Sequence, residues 1–217
     1  MPTISTEDYI KAIYKLEEKG ERATTSALAA HLGVADASIT DMIKRLSEKG
    51  LLRYEPYQGV RLTAKGRKMA LGILRRHRLW EMFLTQFLGY SWDRVHEEAE
   101  RLEHVTSEEL EHKLDEALGF PSVDPHGHPI PTKDGALVDK ADSLLSACNA
   151  GDVVRISRVD DDDAKLLQHV AHLGFALNGK LVVKEKKAFD GSMVVKVGTK
   201  HHFISKQVAD AIFVEPA

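Results

Sequence analysis

Residues 96 to 105, HEEAERLEHV, put two imidazoles and four carboxylates into ten positions. On an α-helix His96, Glu100, Glu103 and His104 fall at i, i+4, i+7 and i+8, which is one face. Their nitrogens and oxygens would then converge on one volume. Like charges at that spacing repel by about a few tenths of a kcal/mol per pair, and a cation among them reverses the sign. The plain alternative is a solvated acidic face, since Glu and His are common on exposed helices. The rest of the chain has to choose between the two.

A chain of 217 residues has room for one large or two to three small domains, each with a modest core. The single cysteine, Cys148, allows neither an intramolecular disulfide nor a thiolate-rich zinc site, so a metal site here must use oxygen and nitrogen. No run of about 18 apolar residues occurs, and the opening MPTISTEDYI lacks a basic segment followed by an apolar one. The expectation is a cytoplasmic protein with no membrane partner. The net charge of −3 hides an asymmetry. Residues 1–80 hold 15 Lys and Arg against 9 Asp and Glu, a balance of +6, while residues 81–217 hold 15 against 24, a balance of −9. A basic first third points to a polyanion, and the acidic remainder to cations.

The elements that would present these charges are legible in order. Ser5 or Thr6 caps a first helix with Ile10, Ile13, Tyr14 and Leu16 at helical spacing, ended by Gly20. Thr24 or Thr25 caps a short second helix, Gly33 makes a turn, and DASITDMIKRLSEKG forms a third with Ile39, Ile43 and Leu46 inward. Helix, glycine turn, helix is the helix-turn-helix pattern. LLRYEPYQGVRLTAKG then alternates apolar and polar residues about a PYQG turn, a two-stranded wing. The third helix carries Ala37, Ser38, Thr40 and Asp41, small and polar side chains able to approach base edges in a major groove. Lys44 and Arg45 follow toward phosphate, and Arg53, Tyr57 and Arg61 of the wing would hold the backbone. For each basic residue the alternative is plain solvation.

Residues 66–118 read as helical throughout, first apolar on more than one side and then amphipathic. Leu79, Trp80, Phe83, Leu84 and Phe87 are candidates for a dimer core, or for burial within one chain. FPSVDPHGHPIPTKDG reads as a linker or extended loop, yet Asp124, His126 and His128 stand out in it. Five alternating segments then read as the strands of a small barrel, interrupted by the acid-capped helix DDDDAKLLQHVAHLGF. The expected class is mainly α with a small β part: a winged helix-turn-helix, a helical dimerisation domain and a C-terminal SH3-like β-barrel.

TEDYIKAIYKLEE, RRHRLWEMFL, VHEEAERLEHVTSEEL and DPHGHPIP together resemble the diphtheria-toxin-repressor-like metalloregulators, in particular the manganese-responsive branch with a C-terminal SH3-like domain. The resemblance covers nearly the whole chain. It implies a DNA-binding domain over 1–72, a metal-binding and dimerisation domain over 73–140, and over 150–217 an SH3-like domain like that of the ferrous-iron-transport protein A. It also implies a primary metal site of Asp8, His77, Glu100, Glu103 and His104. Iron-responsive relatives have sulfur ligands where this chain has Asp8 and Glu100, so the site shifts toward harder ions such as Mn(II), with Fe(II) the competitor. Zinc, cobalt and cadmium would substitute in vitro, because affinity alone favours later ions over manganese. A second site is implied from Glu81, Asp124, His126 and either Asp160 or Asp161. It departs from related regulators that have a cysteine at the position of Asp124. Shorter relatives carry a glutamate where this chain has Lys11, so a two-metal cluster is not expected. His96 matches an ancillary ligand of the iron-responsive branch.

The expected function is a manganese-activated repressor of metal-uptake genes, with an iron-responsive repressor as the alternative. It would bind a palindromic double-stranded operator as a homodimer and use no small-molecule substrate. Two other classes compete. HEEAE ends in Glu100 where the metalloprotease pattern needs a second histidine, which argues against an enzyme. A DNA-binding protein with a merely solvated acidic helix would ignore chelators. His77 and His104 must be neutral to bind metal, so the response should fade below about pH 6.

Overall fold

The computed structural model describes residues 6–55, 59–138, 140–161 and 163–217, so Ser5 and, in the wing turn, Tyr57 lie outside the described residues. The chain falls into two compact units. The first comprises residues up to His77 with Glu103–Thr106 and Pro131–Leu137; the second comprises Arg78–Leu102, Ser107–Ile130 and Val138–Ala217.

In the first unit, helix α1 (Thr6–Glu18) buries Ile10, Ile13, Tyr14 and Leu16, as its spacing requires. Helix α2 (Thr25–Leu32) is capped by Thr24, whose hydroxyl accepts from the Ala27 amide at 3.1 Å. Gly33, at φ 66°, ends it in the left-handed conformation that lets the chain turn into α3 (Asp36–Glu48). Ile39 and Leu46 of α3 are fully buried and Ile43 is partly so. Strands β1 (Leu52–Glu55) and β2 (Gly59–Leu62) pair antiparallel, with Arg53 opposite Arg61. One core cluster joins these elements to Leu71, Ile73 and Leu74 in the first part of helix α4 (Ala64–Leu88).

The expectation of unbroken helix over 66–118 is corrected. Helix α4 stops at Leu88, before Gly89 at φ 69°, and α5 covers only Val95–Leu102. A 3-10 turn over Glu103–Val105 follows, and α6 (Glu108–Ala117) begins anew at Ser107, whose hydroxyl accepts from the Leu110 amide at 3.2 Å. Both sides of each break are amphipathic, so periodicity runs through and hides it; the Gly89 turn and the Ser107 cap are the local signals. The α-helical spacing expected of all four donors therefore holds for His96 and Glu100 on α5, while Glu103 and His104 belong to the 3-10 turn, which advances about 120° per residue rather than 100°.

In the second unit six strands form an antiparallel sheet: β3 (Ser143–Leu144), β4 (Val153–Val159), β5 (Lys180–Lys186), β6 (Met193–Val197), β7 (Lys200–Ile204) and β8 (Ile212–Pro216), in the spatial order β3-β8-β4-β5-β6-β7. The five anticipated strands are present, and β3 and the short helix α8 (Lys206–Asp210) are added. Helix α7 (Ala164–His172) is capped by Asp163, which accepts from the Lys165 amide at 2.8 Å. Residues 120–130 are no solvated linker. Asp124, His126, Gly127 and His128 are buried, and Gly127 passes so close to β4 that a Cβ there would stand 2.2 Å from the Ser157 carbonyl oxygen. Among the described residues no helix is long and apolar enough to cross a membrane.

Because Leu46 anchors α3 with its whole side chain in the core, Leu46→Ala should cost the first unit about 2–5 kcal/mol, read as a lower urea midpoint by circular dichroism.

Candidate metal centres

The first unit gathers Asp8 and Glu7 from the first turn of α1, His77 from α4, and Glu103 and His104 from the 3-10 turn. Donor atoms of Asp8, Glu103 and His104 lie within 4.8 Å of one another. His104 stands between acids: Nδ1 is 2.7 Å from Glu7 Oε2, and Nε2 is 2.7 Å from Asp8 Oδ1 and 3.6 Å from Glu103 Oε1. Burial works against its charged form, but Glu7 first, then the charges of Glu103 and Asp8, outweigh it and raise its pKa. Arg76 fastens the turn, donating to the Glu103 carbonyl at 2.8 Å and to Glu7 at 3.2 Å.

Glu103 has no exposed surface, a position a carboxylate tolerates only when compensated. Lys11, also buried, supplies the compensation: its Nζ donates to both Glu103 oxygens at 2.9 and 2.8 Å and stands 3.3 Å from His77 Nδ1. His77 Nδ1 in turn hydrogen-bonds Glu103 Oε2. A lysine ammonium thus sits on this carboxylate.

The second unit holds a separate cluster. Glu81 from α4, Asp124 and His126 from the 120–130 loop and Asp161 from the β4–α7 connection offer one atom each within 4.8 Å, three of the residues being buried. Of the pair Asp160 and Asp161, it is Asp161 that contributes. The loop is shaped by Asp124 Oδ1, which accepts from the amides of His126 at 2.8 Å and His128 at 2.9 Å. His126 stacks on Trp92, with ring centroids 5.7 Å apart, and its Nε2 lies 2.8 Å from the Trp92 carbonyl oxygen. Nε2 therefore carries a proton, and in the neutral ring the Nδ1 lone pair is left for a cation. Nδ1 lies 3.7 Å from Glu81 Oε2 and 4.0 Å from Asp161 Oδ2. Burial disfavours imidazolium here, yet the Glu81 carboxylate, with the charges of Asp124 and Asp161, raises the pKa to about 9. His96 belongs beside this group, its Nδ1 3.2 Å from Glu81 Oε1 and its Nε2 3.9 Å from Glu100 Oε2.

Two buried atoms of the cluster, Asp124 Oδ2 and His126 Nδ1, make no hydrogen bond among the described residues. Both point into the acidic volume, so the residues present fit a divalent cation. Sequence reasoning passed over Glu7, Arg78 and Trp92. Arg78 is buried on α4 with Nε 3.4 Å from Asp124 Oδ2, and in the sequence it is not distinguished from its basic neighbours Arg75 and Arg76.

On the polyanion side, Ala37, Ser38, Thr40, Asp41 and Lys44 are all exposed on α3, as are Arg53 and Arg61 on the wing. Both arginines face Glu55, at 3.0 and 3.4 Å. Tyr54 of β1, 67% exposed, was not singled out by sequence reasoning. Of the candidate dimer residues, Leu79 and Leu84 are buried within the chain, while Phe87 is 57% exposed and stacks on Phe83.

Residues 1–60 match the family described as "Iron dependent repressor, N-terminal DNA binding domain", residues 63–132 its "metal binding and dimerisation domain", and residues 144–216 the "FeoA domain". The iron-dependent repressor IdeR of Mycobacterium leprae is 32% identical over 97% of this chain and 96% of its own. Among solved structures, a manganese-dependent transcriptional repressor in complex with manganese is 37% identical, with a TM-score of 0.91 over 98% of this chain and 100% of the other. ScaR with bound Cd2+ is 30% identical, with a TM-score of 0.87 over 99% and 100%.

Removing one partner of a buried ion pair costs about 3–5 kcal/mol, because the other charge is left in low dielectric. Lys11→Met should therefore lower the chelator-treated protein's stability by that amount, measured by urea unfolding.

Proposed function

Because this chain belongs to the diphtheria toxin repressor, or iron-dependent repressor, family of metal-dependent DNA-binding transcriptional repressors, which are not enzymes, we propose that it is a manganese-activated repressor of metal-uptake genes. It works in the cytoplasm as a homodimer on a palindromic operator, through a DNA-binding domain over 1–72, a metal-binding and dimerisation domain over 73–140 and an SH3-like domain over 150–217. The observation that carries the reading is the convergence of Asp8, Glu103 and His104, donors without sulfur, within 4.8 Å.

In this reading Asp8, Glu103 and His104, with His77 and Glu100, hold the activating ion. Glu81, Asp124, His126 and Asp161 hold a second, and His96 is ancillary. A bound divalent cation supplies positive charge and directional bonds to oxygen and nitrogen. Carboxylates at positions 8 and 100 favour manganese, while the iron-dependent relatives support Fe(II) as the second reading; zinc, cobalt and cadmium substitute in vitro. Lys11 on Glu103 speaks against a two-metal cluster there.

Asp8 is the lever. It lies in the first turn of α1, whose Ile10 and Ile13 share a core with Leu28 of α2 and Ile39 of α3. Fixing Asp8 restricts α1 and, through that core, the helix that reads DNA. Recognition helices of a dimer must stand about 34 Å apart, or a multiple of it, to meet successive major grooves. Ala37, Ser38, Thr40 and Asp41 would face base edges, and Lys44, Arg53, Tyr57 and Arg61 phosphate.

Typical coupling of about 1–3 kcal/mol corresponds to a roughly 5- to 150-fold gain in operator affinity on adding Mn(II), measured by fluorescence anisotropy after EDTA treatment. Asp8→Asn and Glu103→Gln should remove that gain. Binding indifferent to metal in the unmodified protein would overturn the reading. Lys44→Ala should weaken binding evenly across sequences and reduce the salt slope by about one.

A further inference from the structure

We propose that His128 is a further ligand of the second-unit cluster, so that its cation is held by two imidazoles and by carboxylates from three parts of the fold. The inference rests on the reading of Glu81, Asp124, His126 and Asp161 as a metal site. It gives a role to His128, which stands out in the sequence beside Asp124 and His126 and to which the family resemblance assigns none.

His128 is 9% exposed, and its Nδ1 is a third buried atom of this region without a hydrogen bond among the described residues. That atom stands 3.5 Å from Asp124 Oδ2 and 3.8 Å from Asp161 Oδ2. The same Asp161 oxygen is 4.0 Å from His126 Nδ1, so it lies between two imidazoles. Separations of 3.5–4.0 Å are long for N–H···O bonds, which cluster near 2.9–3.0 Å. Toward Asp124 and Asp161 they suit donors sharing one ion: with bonds of about 2.1 Å, two ligands lie roughly 3.0 Å apart at right angles and about 4.2 Å apart when opposed. The donors within 4.8 Å of one another are those of Glu81, Asp124, His126 and Asp161, so His128 completes the shell by a small side-chain rotation when the ion binds.

The backbone makes this convergence possible. Residues 126 and 128 flank Gly127 at φ 91°, a conformation that L side chains rarely adopt, and the Asp124 side chain accepts from the amide on either side of that glycine. The Val159 amide donates to the His126 carbonyl at 2.9 Å, and Lys140 Nζ to the Gly127 carbonyl at 2.8 Å, so the loop is pinned where β4 delivers Asp161. Arg78 Nε, 3.4 Å from Asp124 Oδ2, supplies cationic compensation near the carboxylates. A second nitrogen donor also bears on selectivity, because imidazole strengthens binding of later divalent ions more than of Mn(II).

The test uses the full chain carrying His104→Ala to weaken the first-unit site. Mn(II) and Co(II) are titrated by calorimetry, and pulsed EPR counts the imidazole 14N couplings to bound Mn(II). The expected result is two coupled imidazoles, falling to one in His128→Ala, with affinity weaker by ~10- to 100-fold and Co(II) losing more than Mn(II). His128→Phe, which keeps bulk without a ligand nitrogen, should behave alike if the alanine variant unfolds. One coupled imidazole before and after His128 substitution, with affinity changed less than twofold, overturns the inference; His126→Ala still abolishing binding would leave the underlying site standing. If His126→Ala changes nothing either, the site reading itself fails.

Discussion

Three carboxylates with no or almost no exposed surface, Glu81, Glu103 and Asp124, set the terms for this molecule. A lone buried carboxylate is costly, so each must be faced by positive charge or by hydrogen-bond donors. Glu103 has Lys11 and His77; Glu81 has His96 and His126; Asp124 has Arg78, His128 and two backbone amides. Without metal, ammonium, guanidinium and imidazole groups balance the acids. The raised pKa values of His104, His126 and His128 share one origin: burial opposes the charged ring, and nearby carboxylates overcome it.

The two clusters meet the constraint differently. In the first unit the donors come from the start of α1 and from a 3-10 turn held by Arg76, so they join a helix of the DNA-reading core to a short irregular segment. In the second unit Asp124 and His126 ride on a loop locked by its own aspartate, by a glycine without room for a side chain and by the end of β4, while Glu81 comes from α4 and Asp161 from the β4–α7 connection. The first arrangement suits a group whose occupancy changes helix position. The second suits a preorganised site, since its loop is already fixed by backbone hydrogen bonds.

Much of this could be read in advance. Helical spacing of Ile10, Ile13, Tyr14 and Leu16, the Thr24 cap, the Gly33 turn and the alternation in β4 through β8 are local signals, and local chemistry wrote those elements. The first cluster was legible because helix spacing displays donors in the sequence itself. What the sequence hid is the change at Glu103 from α-helix to a 3-10 turn, since amphipathic periodicity persists across such a break.

The sequence by itself determined the donor inventory, oxygen and nitrogen with no usable sulfur, together with the order of elements and the helix-turn-helix with its wing. Only the tertiary structure decided which donors meet. Choosing Asp161 over Asp160, setting Lys11 on Glu103 and bringing His128 toward Asp161 all depend on residues 33 to 92 positions apart or on the direction in which a loop side chain points. Side-chain convergence of that kind is fixed by packing and by the electrostatic cost of leaving buried charge uncompensated, neither of which leaves a period in the sequence.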